Sequence, residues 1–67
     1  MATGTVKWFN TKKGYGFIAP DDGDKDVFVH VTEVQNAGLP GLAEGQRISF
    51  EVMEEPKGLK AIGLATV

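Results

Sequence analysis

Turn-forming residues interrupt this chain so often that no long element fits between them. Breaks fall at Asn10 to Gly14, Pro20 to Gly23, Asn36 to Gly45 and Pro56-Lys57-Gly58. They are rich in Gly, Pro, Asn and Asp, the residues that set tight turns. The short runs between them alternate in polarity and predict strands near residues 4–10, 15–20, 26–31, 46–54 and 59–66. The fourth is the clearest: Ile48, Phe50 and Val52 alternate with Arg47, Ser49, Glu51 and Met53, giving one buried and one wet face. No window has a convincing helical period. Val31-Thr32-Glu33-Val34-Gln35 is expected to make one short turn of 3₁₀ type, and the glycine-rich stretch Asn36 to Gly45 a long surface loop.

Five short strands suggest an all-β sandwich or barrel. A strongly curved sheet of this size closes because closure removes its edges. The expected fold is a five-stranded antiparallel OB-type barrel, a single domain over residues 1–67. Gly14 and Gly16 fit strong curvature and close backbone approach better than a flat strand interior. Ile18, Val27, Val29, Ile48, Phe50 and Val52, with Val6 and Ile62, form the expected core.

A chain of 67 residues has a small core, and about 60% of its unfolded surface is buried on folding. It holds no cysteine, so neither a disulfide nor a thiolate metal site can reinforce it. Marginal stability is expected. The start, Met1-Ala2-Thr3-Gly4, does not resemble a signal peptide, and no apolar run reaches membrane-spanning length. A cytoplasmic location is the expectation, with no membrane partner. The net charge of −2 argues against nucleic-acid binding through bulk charge. The distribution is uneven, however. Lys7, Lys12 and Lys13 precede any acidic residue, while Glu51, Glu54 and Glu55 cluster late. Five of the six aromatic residues (Trp8, Phe9, Tyr15, Phe17 and Phe28) fall in the first 28 positions.

Pattern gives those rings a role. Lys13-Gly14-Tyr15-Gly16-Phe17-Ile18 places Tyr15 and Phe17 on one strand face, and Val27-Phe28-Val29-His30 does the same for Phe28 and His30. If the strands are neighbours, four rings share a face whose reverse side fills the core. Rings left outside cost solubility unless they bind something. A ring face beside lysines suits single-stranded nucleic acid, since bases stack on rings and phosphates pair with cations.

These motifs resemble the bacterial cold-shock protein family over essentially the whole chain. Gly4-Thr5-Val6-Lys7-Trp8-Phe9-Asn10 is similar to its opening strand, Lys13 to Ile18 to its first RNP-type motif (with Tyr15 for the usual phenylalanine), and Val27 to His30 to its second. Asp21-Asp22-Gly23, Glu44-Gly45-Gln46 and Ser49-Phe50-Glu51 also match. The resemblance implies an OB-type barrel that binds single-stranded RNA and DNA, with a modest pyrimidine preference. It further implies an RNA chaperone that keeps transcripts unfolded, in some members a transcription antiterminator. By position, Trp8, Phe17, Phe28 and His30 would stack bases, with Tyr15 and Phe9 contributing. Lys7, Asn10, Lys13 and Asp26 would line the surface, and Lys57 and Lys60 lie near the last loop. Strand alternation would separate Lys7 from Trp8, so presenting both to a ligand requires a bend or bulge in the first strand.

Two positions depart from the family pattern. Val31 follows His30 where phenylalanine is usual, and the loop Asn36-Ala37-Gly38-Leu39-Pro40 lacks the usual aromatic residue. Each stacked base is worth about 1–3 kcal/mol. The expectation is a working site, weaker or shorter than that of a fully aromatic relative, with Val31 and Leu39 supplying apolar contact only.

Other chemistries lack partners in the sequence. His30 is the only histidine, which leaves it without companions for catalysis or metal binding; as a stacking ring it would make binding slightly pH-sensitive. Asp22, Asp24, Asp26 and Glu33 have an EF-hand-like spacing, but Val27 occupies the position where that loop needs glycine. Asp21-Asp22-Gly23-Asp24 reads as hairpin-turn chemistry. Gly14-Tyr15-Gly16 has no Gly-Lys-Ser/Thr ending and no following helix to cradle phosphate. Ser49 is the sole serine and has no triad. An RRM uses a similar Lys-Gly-aromatic motif, but with its second motif earlier in the chain and with two helices behind the sheet. The expected protein is therefore not an enzyme and needs no cofactor or metal. It is expected to be a monomer, with strand exchange between chains left open by the Asn36–Gly45 loop. A second reading has the ring face dock a protein partner.

Overall fold

The computed structural model describes residues 2–23 and 25–67; Met1 and Asp24 lie outside them, and with Asp24 part of the proposed turn chemistry. The order is β1 (Ala2–Asn10), β2 (Tyr15–Pro20), β3 (Val27–His30), α1 (Val31–Asn36), β4 (Arg47–Glu55) and β5 (Gly58–Thr66). The strands form a closed barrel in the order β1-β2-β3-β5-β4. Four of its pairings are antiparallel. The fifth, β3 with β5, is parallel and rests on the single register pair Phe28 and Lys60.

Local chemistry sets the turns. The Asn10 Oδ1 accepts hydrogen bonds from the Lys12 and Lys13 amides at 2.9 and 3.0 Å, and Gly14, at φ 82°, returns the chain into β2. Curvature depends on Gly16. A Cβ there would run into the Trp8 carbonyl and lie 2.7 Å from the Phe9 Cα, so only glycine lets β1 and β2 approach this closely.

Val6, Ile18, Val27, Val29, Ile48 and Phe50 are buried as expected, and Ala61, Leu64 and Val34 complete the core. Two expected core residues depart from it. Val52 is 44% exposed, because β1 pairs with β4 only as far as Phe50 and Val52 projects past that cover. Ile62 is only partly buried, since an irregularity between Ser49 and Glu51 sets an extra β5 residue opposite Phe50. There Gly63 takes φ 58°, and Leu64 and Ala61, three positions apart, become the buried residues.

The short 3₁₀ turn expected after β3 is instead a six-residue α-helix. Val34, 2% exposed, anchors it to the core. The helix ends in a left-handed glycine, Gly38 at φ 75°, whose amide donates to the Gln35 carbonyl at 2.9 Å. The segment between α1 and β4 is irregular, with Leu39 and Leu42 packed against the core.

Candidate nucleic-acid interface

β2 and β3 are neighbours, with Tyr15 opposite His30 and Phe17 opposite Phe28. Paired residues share a face, so the two motifs form one ring surface. Trp8 joins it through a bulge: the β1–β2 register shifts between Val6 and Trp8, which makes Lys7 the extra residue and sets Trp8 opposite Phe17. Lys7 and Trp8 are thus both exposed, as a binding role for both requires.

The rings touch in sequence around the face. Trp8 lies 5.4 Å from Phe17 and 5.5 Å from Tyr15, centroid to centroid; Phe28 lies 5.9 Å from Phe17, 5.7 Å from Tyr15 and 6.2 Å from His30. Interplanar angles run from 35° to 89°. The edge-on contacts hold neighbouring rings in place and leave ring surface accessible for stacking. Trp8 is the most open large apolar residue of the cluster, at 38% exposure.

The charged surround is mixed. Lys12 and Lys13 are exposed on the β1–β2 turn. Lys7 Nζ pairs with the Asp26 carboxylate at 3.0 Å. Beyond Phe28 the surface dips into a groove of about 500 Å³ lined by Phe17, Phe28, His30, Lys57 and Lys60, with Asp26 and Glu55 at its acidic part. Phe28 and Lys60 are register partners, so a row of outward residues runs Trp8, Phe17, Phe28, Lys60 across four strands.

His30 also has a structural task. Its Nδ1 accepts a hydrogen bond from the Thr32 amide at 3.2 Å and so caps α1. The Thr32 hydroxyl lies 3.0 Å from the same Nδ1.

The remaining sequence candidates lie elsewhere or act indirectly. Phe9 faces inward opposite Gly16, packs on the core and makes none of the ring contacts. Asn10 holds the turn that carries Lys12 and Lys13. Val31 begins α1, and its amide donates to the Gly14 carbonyl at 2.8 Å. Leu39 packs on the core after the helix. Sequence reasoning missed Glu55 and Leu59 as groove residues. Their signal was the Pro56-Lys57-Gly58 turn, which places them beside the assigned Lys57.

A family model described as the 'Cold-shock' DNA-binding domain matches residues 2–67. Similar proteins include a probable cold shock protein A of Mycolicibacterium smegmatis, 57% identical over 67 residues and covering 100% of both chains. The major cold shock protein of Micrococcus luteus is 57% identical over 61 residues, 91% of each chain. A cold shock protein of Arthrobacter globiformis is 54% identical over 67 residues, 100% of both. With the closed barrel and its outward ring surface, these matches mean that the chain belongs to the nucleic-acid-binding cold-shock domain family.

Proposed function

We propose that this protein binds single-stranded RNA and DNA, stacking successive bases on Trp8, Phe17, Phe28 and His30, with Tyr15 extending the platform. The observation that carries this reading is the unbroken ring array from Trp8 to His30 on the outer face of β1–β3. Lys7, Lys13, Lys57 and Lys60 supply attraction to phosphates, and rings accept bases with little sequence preference beyond a bias to pyrimidines. Binding the unpaired strand draws RNA out of weak hairpins by mass action, without ATP. In the cytoplasm a monomer of this kind acts as an RNA chaperone and, where the hairpin is a terminator, as an antiterminator.

Trp8 emission tests the reading. Oligothymidine is expected to quench it, and the apparent affinity should fall as salt rises, because phosphate contacts release counterions. Unchanged emission, together with no binding by a second method, would favour a protein ligand on the ring face instead.

A further inference from the structure

The ring face leaves one part of the sheet without a use. β1 covers β4 only over Arg47–Phe50, and among the described residues only β5 pairs with Glu51 to Glu55. The outer edge of this half-strand therefore presents free backbone donors and acceptors. Val52 and Met53, on opposite faces of the strand, are 44% and 43% exposed, so both faces of β4 are wet here, while the facing β5 residues Ala61 and Leu59 stay against the core.

The charged residues of this half-strand are all acidic, although Lys57 and Lys60 share the groove with Glu55. Glu51, Glu54 and Glu55 lie within these five residues, and the two described ion pairs, Lys7 with Asp26 and Arg47 with Asp21, engage none of them. Met53 is the register partner of Lys60 and continues the Trp8-Phe17-Phe28-Lys60 row. Glu51 and Glu55 flank it on the same face. Carboxylates in those positions repel a phosphate backbone, so the surface changes character between β5 and β4. They also oppose a second copy of the chain in an antiparallel pair of β4 edges centred on Met53, which sets Glu51 against Glu55. A strand carrying lysine or arginine meets neither objection.

We propose that the outer edge of β4 at Glu51–Glu55 takes up an extended basic peptide segment as an added strand, its apolar side chains on the Val52 face and its basic ones on the face of Glu51 and Glu55, beside the ring face and without covering it. Backbone hydrogen bonds supply the attachment and the three glutamates the preference for a basic partner.

The test uses the untagged, isotope-labelled full chain and a synthetic heptapeptide, Lys-Val-Lys-Val-Lys-Val-Lys. Its titration is expected to give saturable amide shifts confined to Glu51–Glu55 and the facing β5, weakened by salt. The shifts should persist when the ring face is saturated with oligothymidine. A peptide of the same charge N-methylated along one edge should lose binding at least tenfold, as should the wild-type peptide against Glu51→Lys/Glu54→Lys protein. Both substituted residues are exposed, so the variant is expected to fold. Equal binding of the N-methylated peptide would reduce the effect to charge attraction and overturn the proposal. Displacement of the peptide by oligothymidine, or shifts at Glu51 and Val52, which lie outside the groove, caused by oligothymidine alone, would overturn it in favour of nucleic acid on this edge.

Discussion

Lys7 Nζ donates to the Asp26 carboxylate at 3.0 Å, so the cation that the β1 bulge presents beside Trp8 is already engaged before any ligand arrives. Both side chains are about half exposed, at 52% and 42%. Such pairs are worth about 0.2–1 kcal/mol. A phosphate must compete with Asp26 for this lysine. Asp26→Asn is therefore expected to tighten oligothymidine binding at low salt by up to about fivefold. Lys7→Gln should weaken binding and lower the salt slope by about 1. Fluorescence titrations over a salt series measure both. An unchanged slope in Lys7→Gln would remove Lys7 from the phosphate contacts.

Phe28 touches Phe17, Tyr15 and His30, so it sits within the ring array rather than at its edge. Phe28→Ala is expected to lose about 1–3 kcal/mol of binding, or roughly 5- to 150-fold in affinity. Circular dichroism establishes that the variant is folded before the titration is read. A loss under about twofold would move the base platform elsewhere.

His30 combines a ring for stacking with an acceptor for the Thr32 amide, and one substitution separates the two. His30→Phe keeps the ring and deletes the cap. Affinity for oligothymidine should stay close to wild type, while stability falls by about 0.5–2 kcal/mol. Urea unfolding provides the stability. A variant as stable as wild type would show that the cap contributes nothing.

Asp21 follows β2 in the connection to β3, where Arg47 at the start of β4 and Thr3 on β1 donate to its carboxylate. The Arg47 hydrogen bonds, then that from Thr3, lower its carboxyl to about 2 from the usual 3.8. The Arg47 guanidinium is correspondingly raised. The folded protein thus prefers the ionised carboxylate more than the unfolded chain does. This contribution is whole above pH 3.8 and is lost as pH falls through about 2. Asp21→Asn should flatten that part of the acid-unfolding curve, and salt should shrink the difference because the pair is half exposed. Parallel curves for the two proteins would contradict the assignment.

Glycine is obligatory at Gly16 in β2 and dispensable at Gly41 in the irregular segment between α1 and β4. Gly16→Ala drives a Cβ into the backbone of Trp8 and Phe9. The expected loss is at least about 1–3 kcal/mol. At Gly41 the nearest atom to an added Cβ is the Thr11 Cγ2 at 3.9 Å, so Gly41→Ala should change stability by less than about 0.5 kcal/mol. Urea midpoints compare the two.

Strand positions and the ring face were legible because their signals are local: turn residues at the breaks and alternation between them. The sequence left the neighbouring of β2 and β3 as a condition, and the antiparallel pairing of the two strands meets it. Phe9 was harder to place. Its resemblance to a family motif put it near the ligand, while its pairing with Gly16 turns it inward, and that pairing depends on the Lys7 bulge. Val52 fits the alternation of β4 perfectly well. Its exposure depends on where β1 stops, a fact about a different strand. Val34 joined the core only because α1 forms a full helix, and six residues carry too little period to reveal one.

The parallel junction of β3 and β5 is held by one register pair, Phe28 with Lys60. Both residues also belong to the proposed binding face. A nucleic acid lying over them crosses the seam where the barrel is stitched most sparsely and acts as its clasp. Under the proposed function, affinity and resistance to unfolding are linked at this seam, and a bound single strand would make the protein harder to open.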